Sequence, residues 1–259
     1  MKPPSGDTAR RQAAIVEKTR AAGTVLVEEL ARALDISAQT IRKDLNALEQ
    51  RGLLSRTHGG ATARSGTHNV PYAERRLHAV AAKDAIGAAA AALIENGSSL
   101  FINIGTTCEA VARHLVRHRG LMVITNNLNV VDILADCPDA EVIAAGGSVR
   151  RADRAVVGAV AMDFLRNFRV DTAVIGASAI DAAGDFLDYD VDEVHVSQTI
   201  IRQARRVILA IDATKLDGRA PVRIGGLADV DCVVIDRATP DLTRACDVAG
   251  VTLVEVTSD

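Results

Sequence analysis

Five short stretches of this chain are built from glycine and small polar residues: GTT (Gly105, Thr106, Thr107), TNN (Thr125, Asn126, Asn127), GGS (Gly146, Gly147, Ser148), GAS (Gly176, Ala177, Ser178) and DATK (Asp212 to Lys215). Each follows an apolar run, and together they offer hydroxyls, amides, uncovered backbone N–H groups and one lysine. That chemistry suits a small, hydroxylated, anionic ligand. Phosphate is the favoured anion, because in INIGTTCEAVARHL a glycine turn and two hydroxyls open a helix whose first N–H groups attract negative charge. A single loop of this kind is also an ordinary capped βα turn, and Lys215 alone is equally a surface charge. Several such loops on one rim favour a phosphorylated sugar.

A second set of residues suits a different partner. In ISAQTIRKDLNALEQRGLLSRTHGG, residues 36–60, Ile41, Leu45 and Leu48 form an apolar stripe. Ser37 stands where an N-cap belongs. The opposite face presents Ser37, Gln39, Thr40, Arg42 and Lys43 near the helix start, where a recognition helix meets base edges and phosphates. A polar helix face can also be merely solvated. Upstream, Val27, Leu30, Ala31 and Leu34 predict a shorter helix, separated from the first by the break at DIS, which is helix-turn-helix spacing. Gly52 then ends the second helix, LLSRT predicts a strand and HGG a tight turn, a wing carrying Arg56 and His58. TARRQAAIVEKTRAAG completes a three-helix core.

Charge separates the two sets. The formal net charge is −3, but residues 1–64 carry 11 Lys/Arg against 7 Asp/Glu and the remainder 19 against 26. The basic end is therefore the one for a polyanion. An aromatic content of 2% is consistent with duplex reading through a major groove, which needs no stacking platform. Cys108, Cys137, Cys232 and Cys246 have no CxxC spacing, which predicts reduced thiols in a cytoplasmic protein. MKPPSGDTARRQ lacks an apolar h-region, so no signal peptide is expected, and the longest apolar run, AIGAAAAALI, falls well short of the ~20 residues of a membrane span. His114 and His118 lie four apart on a predicted helix without a third ligand, so neither metal nor cofactor is expected. Walker A, GxGxxG and GxSxG motifs are absent.

The elements that must position these residues form a rhythm. The runs LFINI, LMVI, EVIAA, DTAVI, RVILAI, CVVI and VTLVEV alternate with helix-length segments, the pattern of a mostly parallel sheet covered on both faces. In such sheets ligands bind beyond the carboxyl ends of the strands, where the five polar stretches fall. The fold class is α/β, with a small N-terminal winged helix-turn-helix (residues 8–63), a polar linker (64–72) around RSGTHNVPY, and a ligand-sensing α/β domain (73–259).

ELARALDISAQTIRKDLNALEQRGLLSRTHGGA resembles the DNA-binding domain of DeoR-type bacterial repressors, whose signature ends in a His-Gly-Gly-Ala wing. LFINIGTTCEAVA, ITNNLNV, AAGGSVR, FRVDTAVIGASAID and DEV resemble the sensor domain of the same family, itself similar in fold to ribose-5-phosphate isomerase. The resemblance implies that Gln39, Thr40, Arg42 and Lys43 face DNA, and that Arg56 and His58 contact the backbone from the wing. It implies an effector pocket lined by Lys83, Gly105, Thr106, Thr107, Asn126, Gly146, Gly147, Glu193 and Lys215. It further implies a repressor acting on double-stranded operator DNA, expected as a dimer or tetramer, and controlled by a phosphorylated sugar or polyol, with glycerol 3-phosphate foremost.

The rival reading is an isomerase-like enzyme with an appended DNA-binding module. Such isomerases carry an acidic Asp-Gly-Ala-Asp-Glu stretch after the middle strand, where this chain reads VIGASAID, so the carboxylates that would shuttle protons are replaced. Asp181, Asp185, Asp188, Asp190 and Asp192 follow closely and are expected to form a solvated acidic loop.

Overall fold

The computed structural model describes residues 6–22, 24–50, 54–57, 59–62, 69–216 and 218–257. It divides into two compact units, Met1–His68 and Asn69–Asp259.

The first unit runs α1 (Gly6–Ala22), β1 (Thr24–Leu26), α2 (Val27–Leu34), α3 (Ala38–Gln50), β2 (Ser55–Thr57) and β3 (Gly60–Thr62). Ile15 of α1, Val27 and Leu30 of α2, and Ile41, Leu45 and Leu48 of α3 bury together with Val25, Leu54 and Ala61. The corner between α2 and α3 is made by Asp35, left-handed at φ 51°, whose N–H closes on the Ala31 and Arg32 carbonyls. The Ser37 hydroxyl then accepts the Thr40 N–H at 3.2 Å, satisfying an orphan donor of α3. Asp44 is only 4% exposed. It accepts Arg11 Nη2 at 3.2 Å and Gln12 Nε2 at 3.1 Å, tying α1 to α3.

The wing holds more than the expected hairpin. β3 pairs antiparallel with β2 and also with β1, a strand that the apolar spacing does not announce. Gly60 has to be glycine, since a Cβ there would lie 2.0 Å from the Val25 carbonyl oxygen; Gly59 turns the chain at φ +111°. His58 lies outside the described residues.

The second unit opens with α4 (Tyr72–Leu77) and α5 (Val80–Ala92). It continues through β4 (Ser99–Ile102), α6 (Thr106–Leu115), β5 (Leu121–Thr125), α7 (Leu128–Leu134), β6 (Ala140–Ala144), β7 (Ser148–Arg150), β8 (Ala155–Val157), α8 (Ala159–Leu165) and β9 (Val170–Ile175). The remaining elements are β10 (Ala179–Ile180), β11 (Asp185–Asp188), α9 (Val191–Arg202), β12 (Ala204–Ala210), β13 (Val222–Gly226), β14 (Cys232–Ile235), α10 (Pro240–Ala249) and β15 (Thr252–Glu255).

The seven apolar runs supply the seven described strands of one parallel sheet, in the order β15-β14-β12-β9-β4-β5-β6. Alternation along β4 decides its faces: Leu100 and Ile102 pack with Ile86 of α5, Val111 of α6 and Val130 of α7, while Phe101 packs with Leu165 of α8 and Ile200 of α9. β10, β11 and β13 form a small antiparallel sheet, and β7 and β8 a hairpin. From β4 the chain adds β5 and β6 on one side, then returns to β9 on the other. The topological switch point therefore lies beyond the ends of β4 and β9. No described helix is long and apolar enough to cross a membrane.

Candidate nucleic-acid interface and ligand crevice

On α3, Ser37, Gln39, Arg42 and Lys43 are exposed, and Thr40 is half-buried with its hydroxyl 2.9 Å from that of Ser37. No acidic residue occupies the first turn of α3, so nothing there offsets the positive end of the helix dipole, and Arg42 and Lys43 follow in the next turn. Arg56 is tied to the same helix: its backbone N–H donates to Glu49 Oε1 at 2.9 Å, and its guanidinium donates to Asn46 Oδ1. The wing strand and α3 thus form one positioned surface.

At the switch point, a crevice is lined by Gly105, Thr106 and Thr107 from β4 and α6, Gly176, Ala177 and Ser178 after β9, Lys215 after β12, and Asp188, Glu193 and Arg75. Its parts are fixed individually. Gly105 opens α6 at φ 123°, which favours glycine. Asn103 accepts the Ile104 N–H at 2.8 Å and donates to Ser197 Oγ at 2.8 Å, anchoring the end of β4 against α9. Lys215 ends a short 3₁₀ turn whose start is held by Asp212 Oδ1 on Thr214 N–H at 3.1 Å and by Asp236 Oδ1 on Ala213 N–H at 2.7 Å. The crevice is narrow, with about 30 Å³ of room. Thr106 also borders an outer groove of about 590 Å³ lined by Lys83, Arg76, Glu109 and Arg113.

Glu193 approaches Arg150 at 2.6 Å, and the same guanidinium holds Asp153 at 2.6 and 2.9 Å and Asp190 at 2.8 Å. One cation cannot neutralise three carboxylates. Burial, reinforced by Asp188, pushes the Glu193 carboxyl up to about 8 despite the pull of Arg150. Lys83 is 5% exposed and donates from Nζ to the carbonyls of Arg75 at 2.6 Å and His78 at 2.8 Å. Burial lowers the pKa of its ammonium, with Asp212 opposing.

Of the residues singled out in the sequence, Gly105, Thr106, Thr107, Glu193 and Lys215 meet in the crevice, and Lys83 lies beyond Thr106 in the groove. Asn126, Gly146 and Gly147 are outside both linings. They follow β5 and β6, to one side of β4, whereas the crevice gathers the ends of β4, β9 and β12. Asn126 is fully buried and donates to the Val156 carbonyl at 3.3 Å, while Gly146 and Gly147 are exposed. Arg75, Tyr72, Glu109, Asn129, Arg150 and Asp153 were not anticipated: a lone arginine or tyrosine carries no spacing signal, and they converge only through the fold. Arg75 lines the crevice, and its Nε is buried without a hydrogen-bond partner among the described residues.

The acidic stretch after β9 is not the solvated loop expected. Asp188 is 3% exposed and accepts the Ser178 hydroxyl at 2.8 Å, Asp190 caps α9 through the Glu193 N–H at 3.0 Å, and Asp185 pairs with Arg223 at 2.8 Å. Small strands and a helix start supply partners that a loop would leave to water. His114 faces Asp84 at 3.0 Å, and His118 meets the Ala91 and Ile94 carbonyls at 3.1 Å.

A winged helix-turn-helix followed by a parallel α/β unit with a strand-end crevice defines the class of transcription regulators with a sensor domain. The chain belongs to the DeoR family: residues 11–67 match the DeoR-like helix-turn-helix domain and residues 78–237 the DeoR C terminal sensor domain. It is similar to the glycerol-3-phosphate regulon repressor of Escherichia coli (strain K12), 40% identical over 89% of this chain and 92% of that one. The protein of the same name from Haemophilus influenzae (strain Rd) is 42% identical over 85% and 86%. Among solved structures, ribose 5-phosphate isomerase A from Methanocaldococcus jannaschii is 13% identical over 52% of this chain and 53% of that one, with a TM-score of 0.38.

Proposed function

We propose that this protein is a cytoplasmic transcriptional repressor whose binding to double-stranded operator DNA is controlled by a phosphorylated sugar or polyol, with glycerol 3-phosphate the foremost candidate. The observation that carries this reading is the convergence of Gly105–Thr107, Gly176–Ser178 and Lys215 at the switch point of the sheet. Backbone N–H groups at the start of α6, hydroxyls and a lysine there suit a phosphate and its polyol tail. The names of the two relatives support glycerol 3-phosphate in particular. Ser37, Gln39, Thr40, Arg42, Lys43, Arg56 and His58 would form the operator surface, and Lys83 and Glu193 would complete the effector site. Because one small module covers little DNA, a dimer or tetramer on repeated half-sites is the functional form.

Catalysis is the weaker reading. Asp188 and Asp190 are already engaged by Ser178, α9 and Arg150, so they are poorly disposed to move protons on a substrate. The test is a thermal-shift titration with glycerol 3-phosphate, ribose 5-phosphate and their unphosphorylated parents. A ligand bound only by the native state raises the melting temperature with concentration. A shift with one phosphorylated compound and not its parent supports the reading, and a flat panel contradicts it.

A further inference from the structure

The crevice has little room of its own, about 30 Å³, against about 590 Å³ in the outer groove that shares Thr106 with it. The segment Asn69–Leu77 is placed to widen the crevice. It follows directly in sequence on the DNA-binding unit, and Arg75 from it lines the crevice. Its fastenings are polar, and one of them is the buried Lys83, whose Nζ donates to the Arg75 carbonyl at 2.6 Å. Asn69 Nδ2 donates to Ser178 Oγ at 3.1 Å, on the crevice loop after β9. The Tyr72 hydroxyl donates to the Glu109 carboxylate, with its oxygens 2.9 and 3.0 Å away, and Asn129 Nδ2 reaches both Tyr72 and Glu109 at 3.0 Å. Arg75 Nη2 lies 3.9 Å from Asp153. No residue of α4 is buried, so little apolar contact holds the segment down.

Glu109 is 4% exposed and lies on α6, whose first residues are the Thr106-Thr107 pair of the crevice. Thr106 and Glu109 stand one turn apart on it. The rim of the crevice and the anchor of Tyr72 therefore belong to the same helical turn.

Resting on the effector reading above, we propose that Asn69–Leu77 is a strap over the crevice, that ligand entry displaces it, and that Tyr72 is the positioning residue that sets how strongly occupancy is passed to operator binding. The strap-down state excludes ligand, so the apparent affinity for ligand is reduced by the fraction of molecules whose strap is raised. Removing the Tyr72 hydroxyl raises that fraction without touching the crevice lining. It also leaves fewer molecules for a ligand to switch.

The test compares the full-length protein with Tyr72→Phe, using glycerol 3-phosphate as the probe and glycerol as the control. Losing one charge-assisted hydrogen bond is expected to tighten glycerol 3-phosphate binding about tenfold and to shrink towards one the factor by which it changes operator affinity. A substitution that merely damaged the domain would weaken binding instead. Asn69→Ala should act in the same direction through the Ser178 fastening and stands in if Tyr72→Phe does not fold. Hydrogen exchange on the wild-type protein should show residues 69–78 losing protection when glycerol 3-phosphate is added. Wild-type response with unchanged or weaker binding in both variants, or unchanged protection of the strap, overturns the strap and leaves the repressor reading standing. Wild-type protein indifferent to both glycerol 3-phosphate and ribose 5-phosphate overturns both.

Discussion

Arg150 donates to Glu193 across 2.6 Å while holding Asp153 through two further bonds, so Glu193 shares its cation with a second carboxylate. Its folded-state pKa of about 8 lies above the ordinary 4.5. A raised acid favours the fold below the ordinary value, and that contribution is lost as pH rises through the folded value. Stability should therefore fall between about pH 4.5 and 8 relative to a Glu193→Gln variant, which mimics the protonated form, by at most about 1.4 kcal/mol per pH unit. Urea unfolding of both proteins across that range checks it; parallel pH profiles would contradict it.

Lys83 secures the Arg75 and His78 carbonyls from a buried position. Replacing it with methionine keeps the aliphatic stem and strands two carbonyls. The sensor domain should lose about 1–3 kcal/mol in urea unfolding. A variant as stable as wild type would mean that water takes over both bonds.

How far the sequence carried this picture depends on how local each cause is. The α2 and α3 stripes, the Ser37 cap and the seven apolar runs are set by spacing within one element, and all seven runs are strands. β1, β10 and β11 have two to four residues each and exist because partners elsewhere in the chain complete them, so no period betrays them. The same holds for the site. Gly105–Thr107 and Lys215 were legible as strand-end loops, but strand order decides which loops meet, and it leaves TNN and GGS outside the crevice. The stretch around Asn69 and Tyr72 read as a linker because its partners Ser178, Glu109 and Asn129 are 37 to 109 residues away.

On α3, Arg42→Ala should weaken specific DNA binding by about 1–3 kcal/mol if the guanidinium pairs with a base, or lower affinity for every sequence alike if it contacts phosphate. Binding should also fall steeply with salt. Equal affinity of variant and wild type for both operator and random DNA would remove Arg42 from the interface.

Lys215→Ala should keep operator affinity near that of wild type while abolishing the response to glycerol 3-phosphate, because the residue lines the crevice in the unit that does not carry α3. Fluorescence anisotropy on labelled operator, with and without ligand, measures both. A normal response would place the effector elsewhere.

In the proposed switch, one small phosphorylated molecule controls DNA binding. The most direct measurement selects an operator from a random duplex library with the purified protein, then titrates it by anisotropy in the presence of glycerol 3-phosphate, ribose 5-phosphate or glycerol. A coupling of about 1–3 kcal/mol, or roughly five- to 150-fold in operator affinity, is expected for one phosphorylated compound and none for glycerol. Operator affinity unmoved by every compound would contradict the claim.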